Sequence, residues 1–300
     1  MNFCTLCPFQ CGVDRVHRFG VCQLPNKLLV SHVQQHFFEE PFISGECNNE
    51  GTGGSGAVFF TGCNGRCVYC QNYKISQGEY WKKAPLHVVM AKELFEICRE
   101  LVCEQKVHNI NFVSPTSYTA LLIPFLKKYK SKLGVPIIWN SNGYEKRETL
   151  QALKGLVDVY LPDFKYFDDA MAVRYSKMPN YLKWVTEALM EMFDQVGYPQ
   201  LSADGFIEKG LVIRHLVLPG HLENSKKVLT WIRKTFGSKA YVALMAQYYP
   251  IHRSIDFPEI HRKLIGEEYR EIKEYFLKLG FEDGLFQDLD AADSCYTPEF

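Results

Sequence analysis

Three cysteines that lie close together in the sequence could hold an iron–sulfur cluster. Cys63, Cys67 and Cys70 fall within eight residues, on a segment that also contains Gly62 and Gly65. Iron–sulfur cubanes usually take four cysteine ligands, so three ligands would leave one iron open to a small molecule. The two glycines would let the backbone wrap closely around the cluster. A structural zinc loop is the alternative interpretation of the same three residues.

A second group of cysteines lies near the start of the chain. Its members are Cys4, Cys7, Cys11 and Cys22. The stretch that carries them is too short to form a hydrophobic core of its own, so we expect a bound metal to organise it. The spacing departs from the usual zinc ribbon, which has two Cys-x2-Cys pairs. Zinc and an auxiliary iron–sulfur cluster both fit this spacing.

Polar residues lie at or just beyond the predicted carboxyl ends of several strands. Besides the cysteines, they are Ser114, Thr116, Asn140, Asn142, Asp163, Lys165 and Arg214. Parallel α/β folds build their active sites at the carboxyl edge of the strands. Charged side chains that point into a barrel need partners, which favours a role in binding a ligand for Asp163 and Lys165. The sequence therefore predicts a binding site at this edge.

The elements that would position these residues alternate between short apolar segments and helical patterns. β-prone segments predict strands at 57–61, 109–113, 135–139, 157–161, 211–216 and 241–245. Apolar residues that recur every three or four positions predict helices at 86–105, 117–132, 147–153 and 225–235. This alternation is typical of parallel strands with crossover helices. An α/β fold with six β/α units, in a barrel or partial barrel, is predicted.

The glycine-rich stretch at 51–56 marks a predicted module boundary, because its backbone can turn at little steric cost. We predict a Cys-rich metal-binding module at 1–50, the barrel at 51–250 and a C-terminal extension at 251–300. One helix, at about 267–279, and an acidic tail are expected in the extension.

Composition limits the class of protein. Thirty-four basic residues balance thirty-four acidic ones, so no global field favours nucleic acid, and we expect no nucleic-acid partner. No apolar segment approaches the roughly 20 residues that span a bilayer. The first residues do not read as a signal peptide, so we expect no membrane association and a cytoplasmic location. The other cysteines, expected to be ordinary core or surface residues, are Cys47, Cys98, Cys103 and Cys295.

The cysteine loop resembles the fingerprint of the radical S-adenosylmethionine (SAM) superfamily, Cys-x3-Cys-x-aromatic-Cys. Cys63, Cys67, Tyr69 and Cys70 match all of its positions. The resemblance implies a partial (βα)6 barrel similar to a TIM barrel, with a [4Fe-4S] cluster whose open iron is chelated by SAM. It also implies that one electron cleaves SAM into methionine and a 5′-deoxyadenosyl radical.

A closer resemblance, over nearly the whole chain, is to proteins related to pyruvate formate-lyase activating enzyme. The segments that carry it are 4–15, 39–45, 59–64, 161–166 and 214–221. Position 42 is commonly cysteine in those proteins and is Phe42 here, so no role is expected for that thiol.

This resemblance implies roles for the residues after the later strands. Asn140 and Asn142 resemble a turn that contacts SAM or a nearby cation. Asp163 and Lys165 resemble an Asp-Leu-Lys motif, in which Lys165 would pair with the methionine carboxylate of SAM. Arg214 resembles an arginine that reaches the same carboxylate, which suits a fork of guanidinium donors.

The Gly-Gly-Glu type motif that grips the SAM amine in activating enzymes is absent. Ser114 and Thr116 stand at the matching place, where their hydroxyls or the main-chain carbonyls could substitute. The alternative is that these residues cap the following helix.

Three functions remain open at this point. The leading hypothesis is an enzyme that uses the deoxyadenosyl radical to abstract hydrogen, with a glycyl-radical protein as substrate and flavodoxin or ferredoxin as electron donor. The second is radical SAM chemistry on a small molecule, another protein or RNA. The third is a non-catalytic iron–sulfur or zinc scaffold.

Overall fold

The computed structural model describes residues 3–46, 51–83 and 87–293. The strands are β1 (Val30–His36), β2 (Ser55–Phe60), β3 (Asn109–Val113), β4 (Ile137–Ser141), β5 (Val159–Pro162), β6 (Gln200–Leu201), β7 (Ile207–Leu216), β8 (Tyr241–Met245) and β9 (Gly284–Phe286). The helices are α1 (Pro41–Ser44), α2 (Tyr73–Ser76), α3 (Gly78–Trp81), α4 (Ala91–Cys103), α5 (Thr119–Leu133), α6 (Arg147–Gln151), α7 (Asp169–Ser176), α8 (Tyr181–Val196), α9 (Leu222–Phe236) and α10 (Gly266–Lys278). Cys47 and Cys295 lie outside the described residues.

The strands of the described residues form one sheet. Its order is β1-β2-β3-β4-β5-β7-β8-β9, with the short β6 paired to β7. From β2 onward the neighbours along this path are parallel, whereas β1 runs antiparallel to β2. The six strands predicted from the sequence are β2, β3, β4, β5, β7 and β8, and β3 and β8 match the predicted bounds residue for residue. The predicted α/β fold with a partial barrel is confirmed.

Residues alternate along each strand between two faces of the sheet. Trp139 of β4 packs in the large core that the helices share, whereas its neighbour Ile138 packs in a separate inner cluster. Ile43 of α1 and Val212 of β7 belong to the same inner cluster. Residues 39–44, here named the plug, therefore lie inside the curved sheet. They follow β1, whose last residue pairs with the first residue of β2, so the plug enters at the amino edge.

Both flanking segments contribute a strand that the sequence did not predict. β1 lies within the predicted N-terminal module, and β9 lies within the predicted C-terminal extension. The glycine-rich stretch also differs from its prediction, because Ser55 and Gly56 already belong to β2. Gly53 and Gly54 before them have φ values of 93° and 75°, which L side chains rarely adopt. The division into modules at 50 and 250 stays a prediction.

The helices cover the outer face of the sheet through amphipathic surfaces. On α9, Val228, Leu229 and Ile232 are fully buried, and each such side chain contributes roughly 1.5–3 kcal/mol by burial. The predicted helices at 117–132 and 225–235 correspond to α5 and α9 within a few residues. The helix predicted at 86–105 is shorter, α4 ending at Cys103. The helix predicted at 267–279 is α10.

Candidate functional site

The loop with three cysteines leaves the carboxyl end of β2 and is held in place by backbone hydrogen bonds. The amide of Gly62 donates to the carbonyl of Ile75 at 2.7 Å. The amides of Arg66 and Val68 donate to the carbonyls of Ser176 and Tyr175 at 2.9 and 2.8 Å. These last two bonds flank Cys67, so the end of α7 fixes the backbone on both sides of that residue.

Gly65 allows the loop to lie against its neighbours. A Cβ atom at this position would stand 2.4 Å from Cε of Met178 and 3.2 Å from Nδ2 of Asn142. Both separations are shorter than ordinary van der Waals contacts, so the ends of the Met178 and Asn142 side chains would have to move to admit a larger residue. The glycine therefore lets both side chains lie directly against the loop.

Each of the three cysteine sulfurs has a hydrogen-bond partner outside its own residue. The Cys63 sulfur accepts from the Gly65 amide and from Nδ2 of Asn142, both at 3.3 Å. The Cys67 sulfur accepts from the Ser176 hydroxyl at 3.0 Å. The Cys70 sulfur lies 3.2 Å from the hydroxyl oxygen of Ser76. Such partners stabilise negative charge on sulfur, which suits thiolate ligands.

Burial acts on the protonation of two of these thiols, Cys67 and Cys70. It raises the pKa of Cys67, and it raises the pKa of Cys70 to about 12. Lys165 opposes this effect at Cys67, because its positive charge favours the thiolate. Cys67 and Cys70 therefore stay protonated near neutral pH unless a cation such as iron binds them.

A single metal ion and an iron–sulfur cluster need different arrangements of thiolate ligands. Within residues 3–46, 51–83 and 87–293, no three His, Cys, Asp or Glu side chains are arranged to hold one metal ion. One zinc ion would need every thiolate sulfur within about 2.3 Å of a single point. A cubane instead distributes its cysteine ligands over different irons. The loop, with three sulfurs near one another and each near a polar partner, fits a cluster better than a single ion.

Asp163 and Lys165 form an ion pair beside the cysteine loop. Nζ of Lys165 donates to Oδ2 of Asp163 at 2.6 Å, and both side chains are largely buried. Both charges also act on the pKa of Cys67. Burial lowers the pKa of Lys165, but Asp163 and the neighbouring thiols outweigh it, so the net pKa is raised and the ammonium stays charged.

The turn after β4 reaches the cysteine loop directly. Asn142 donates from Nδ2 to Oδ1 of Asn64 at 2.8 Å as well as to Cys63, and its own Oδ1 accepts from the amide of Tyr144. Gly143 has φ of 72°, and a Cβ there would stand 2.3 Å from the Asp163 carbonyl oxygen. The turn thus joins the cysteine loop to the end of β5.

Arg214 lies inside the sheet, bound to the plug. Its Nε donates to Oε1 of Glu40 at 2.8 Å, and its Nη2 donates to carboxylate oxygens of both Glu39 and Glu40. Glu39 also accepts from Nδ2 of Asn111 at 2.7 Å. Although desolvation favours the neutral forms, opposite charges raise the pKa of Arg214 and lower that of Glu39. Two carboxylates thus already bind the guanidinium of Arg214. The expected contact of Arg214 with SAM stays a prediction.

His215 points to the other face, as expected from strand alternation. Its Nδ1 donates to the Phe164 carbonyl at 2.7 Å, and its Nε2 lies 2.8 Å from the hydroxyl of Ser225 on α9. Because the carbonyl can only accept, the neutral ring carries its proton on Nδ1. Burial lowers the pKa of His215 to about 4.

Ser114 and Thr116 differ in their placement. Ser114 has φ of 58°, which is unusual for a residue with a side chain, and its amide donates to the Asn140 carbonyl at 2.9 Å. The Thr116 hydroxyl donates to Oε1 of Glu145 at 2.9 Å. The indole of Trp139 donates to the same oxygen at 3.0 Å, so this contact lies on the face of the sheet that the helices cover. Neither the short 3-10 helix at 116–118 nor α5 begins with a side-chain cap, so the capping alternative is wrong.

The four N-terminal cysteines lie in one neighbourhood. Burial raises the pKa of Cys7 to about 12, and the charges of Cys22, Cys4 and Cys11 act on it in the same direction. The segment is tied to the barrel, because the Thr149 hydroxyl donates to the Leu6 carbonyl at 2.8 Å. In the described residues these sulfurs do not form a set for one ion, and the metal expected there stays a prediction.

Sequence reasoning did not identify Glu39, Glu40, Ser76 or Ser176 as part of this region. The two glutamates stood within a segment that carried the family resemblance, and a buried arginine requires carboxylate partners, which was a usable signal. For Ser176 no signal was present, because it lies 109 residues from Cys67.

Among the described residues, no helix has the length and apolar character needed to cross a membrane.

The chain is similar to known proteins in sequence and in fold. The family model described as the radical SAM superfamily matches residues 57–232. An uncharacterized protein of Methanocaldococcus jannaschii is 33% identical over 276 residues, which cover 90% of this chain and 73% of that protein.

The structure of SuiB of Streptococcus suis bound to its precursor peptide SuiA has a TM-score of 0.51 and 13% identity, over 77% of this chain and 48% of SuiB. This chain thus spans about half of SuiB. A domain of pyruvate-formate lyase-activating enzyme from Bacteroides vulgatus is similar over 57% of this chain and 92% of that domain, with 14% identity and a TM-score of 0.42.

Proposed function

Because this chain belongs to the radical SAM superfamily, we propose that it cleaves SAM reductively at a [4Fe-4S] cluster held by Cys63, Cys67 and Cys70. The observation that carries this proposal is the cysteine loop, in which each sulfur lies beside a polar partner. When bound, the cluster and SAM would supply one-electron cleavage of a carbon–sulfur bond and a 5′-deoxyadenosyl radical.

The residues around the loop would bind and orient the cofactor. An ammonium group has three N–H donors, so Lys165 can pair with the methionine carboxylate of SAM while it keeps its bond to Asp163. Asn142 would hold the loop through Cys63, and Asn140 and Ser114 lie on the same edge as further candidates. Thr116 is a weaker candidate, because its hydroxyl is bonded to Glu145.

Three buried tyrosines would keep water away from the reacting centre. Tyr69, Tyr166 and Tyr181 are at most 6% exposed. Tyr69 belongs to the cysteine loop, its hydroxyl is hydrogen-bonded to that of Tyr166, and the ring of Tyr181 packs against Tyr166. Excluding water strengthens the electrostatic contacts of the site and protects a reactive radical from side reactions. This surrounding supports radical chemistry over a purely structural metal loop.

The substrate and partners are proposed from resemblance. The similarity of the sequence to proteins related to pyruvate formate-lyase activating enzyme supports a glycyl-radical protein as substrate, with flavodoxin or ferredoxin as electron donor. Modification of a small molecule, another protein or RNA is the second candidate. A non-catalytic scaffold is the third, and a product assay separates it from the first two.

The test is anaerobic reconstitution followed by measurement of 5′-deoxyadenosine release from SAM with dithionite as reductant. The parent protein should show a [4Fe-4S] absorption and spin-resonance signal that changes on addition of SAM, and it should release 5′-deoxyadenosine. Cys63→Ala should lose both, because two thiolates do not hold a site-differentiated cubane. Cys98→Ala, at a fully buried cysteine on α4, is the matched control. A SAM-responsive cluster that persists in Cys63→Ala would refute the assignment.

A further inference from the structure

A buried chain of hydroxyl groups ends on the sulfur of Cys67. The hydroxyl oxygens of Tyr69 and Tyr166 are hydrogen-bonded to each other. The Tyr166 hydroxyl lies 2.7 Å from that of Ser176, and Ser176 lies 3.0 Å from the Cys67 sulfur. All three hydroxyl-bearing residues are buried, and Ser176 is fully buried. Water therefore competes poorly with these bonds.

The direction of the chain follows from the number of protons available. A hydroxyl group has one proton to donate. Ser176 donates its proton to the Cys67 sulfur, so its oxygen can only accept from Tyr166. Tyr166 has then used its proton as well and must accept from Tyr69. The three O–H bonds thus point the same way, toward sulfur, and each polarises the next.

The backbone holds Ser176 in register with Cys67. The two hydrogen bonds from the amides of Arg66 and Val68 to the carbonyls of Ser176 and Tyr175 stand on either side of the sulfur contact. Lys177, directly after Ser176, has φ of 56° and ends α7 in a left-handed conformation. The helix therefore ends at the place where its last hydroxyl meets the cysteine.

We propose that Ser176, polarised by Tyr166 and Tyr69, is a positioning residue that raises the reduction potential of the cluster through its hydrogen bond to Cys67. The inference rests on the proposed function, because it assumes a cluster on Cys67. Adding one electron places more negative charge on the cysteine sulfurs, and a donated hydrogen bond stabilises this reduced state more than the oxidised one. The chain thereby makes one-electron reduction by a donor easier.

The experiment is a potentiometric titration of the reconstituted [4Fe-4S] protein, with dithionite as reductant and spin resonance to count reduced clusters. Ser176→Ala should lower the ratio of reduced to oxidised cluster at a fixed potential about tenfold, which corresponds to a midpoint about 59 mV more negative for a one-electron couple. Tyr166→Phe should shift the ratio in the same direction by a smaller factor, because Ser176 keeps its own proton but loses the polarising partner.

Tyr160→Phe is the matched control. It removes a buried tyrosine hydroxyl that is bonded to Gln195 at 2.8 Å, and the midpoint should not move. Iron content measured for each variant separates a change in potential from loss of cluster. Equal midpoints in the parent, Ser176→Ala and Tyr166→Phe would overturn this inference alone. If Ser176→Ala does not fold, the midpoint of Tyr166→Phe is compared with that of the parent, and equal midpoints overturn the inference. A parent protein that assembles no cluster would overturn both this inference and the proposed function.

Discussion

Arg214 donates from Nε to Oε1 of Glu40 at 2.8 Å, so a residue near the carboxyl end of β7 holds the plug inside the sheet. Removing one partner of a buried ion pair leaves an uncompensated charge. Arg214→Gln should therefore reduce the free energy of unfolding by about 3–5 kcal/mol in protein without SAM. Urea denaturation followed by circular dichroism measures this change.

The matched control is Arg262→Gln. Arg262 binds Glu268 through two contacts of 2.7 Å but is 43% exposed, so its loss should reduce the free energy of unfolding by less than about 1 kcal/mol. If Arg214→Gln unfolds like the parent and instead loses SAM affinity, Arg214 serves the cofactor, as the sequence comparison implied, and the plug is held by other contacts.

Lys165 is predicted to bind the carboxylate of SAM. Lys165→Gln should weaken SAM binding about tenfold to a hundredfold, the usual consequence of losing a charge-assisted contact, while iron content stays near that of the parent. Equilibrium dialysis with labelled SAM gives the affinity. Lys130→Gln removes a Lys–Asp pair of the same 2.6 Å length, formed with Asp158 just before β5, and should leave SAM affinity unchanged. Equal affinities in both variants would remove Lys165 from the cofactor site.

The N-terminal cysteines are predicted to hold metal independently of the cysteine loop. A variant in which Cys63, Cys67 and Cys70 are all replaced by alanine should still contain about one zinc ion or one cluster per chain by elemental analysis. Adding Cys7→Ala to it should remove this metal and loosen the N-terminal segment, because metal binding there would supply folding energy. A metal-free triple variant would contradict the prediction.

His215 should make stability depend on pH. Its folded pKa of about 4 lies below the unfolded value of 6.5. Between these values the unfolded chain binds the extra proton, so the contribution is present above pH 6.5 and is lost as pH falls toward 4. From pH 7 to pH 5 this histidine should account for about 2 kcal/mol of lost unfolding free energy.

The comparison is between the parent and His215→Gln, since other histidines contribute to both proteins alike. The variant should be less stable at pH 7 but should lose less stability between pH 7 and pH 5. Parallel pH profiles of the two proteins would show that His215 stays hydrated or charged in the folded protein.

The sequence predicted the six central strands because their residues are apolar on both faces. β1 escaped prediction for the opposite reason. Its side chains His32, Gln34 and His36 are polar and hydrogen-bonded in a row, at 2.9 and 3.0 Å, on the face that lies beside Phe59 inside the sheet. Because Val30 and Val33 are the only apolar residues of β1, it shows neither an apolar run nor the alternation by which a strand is recognised.

The candidate site, too, was predictable from the sequence only in part. Cys63, Cys67 and Cys70 were predictable because ligands on one loop carry their spacing in the sequence. The partner of Arg214 in the plug and the hydroxyl partner of Cys67 come from distant elements, so their contacts depend on how the sheet curves. No local sequence pattern predicts how the sheet curves.

The long span between Glu40 and Arg214 also has a consequence during synthesis. The two residues are 174 positions apart. At about 5–20 residues per second, Glu40 is made roughly 9–35 s before Arg214. In that interval the carboxylates of Glu39 and Glu40 lack the guanidinium of Arg214, and we expect them to remain hydrated. We therefore expect α1 to enter the barrel only after β7 has been added, with the interior of the nascent chain open until translation is well past the middle.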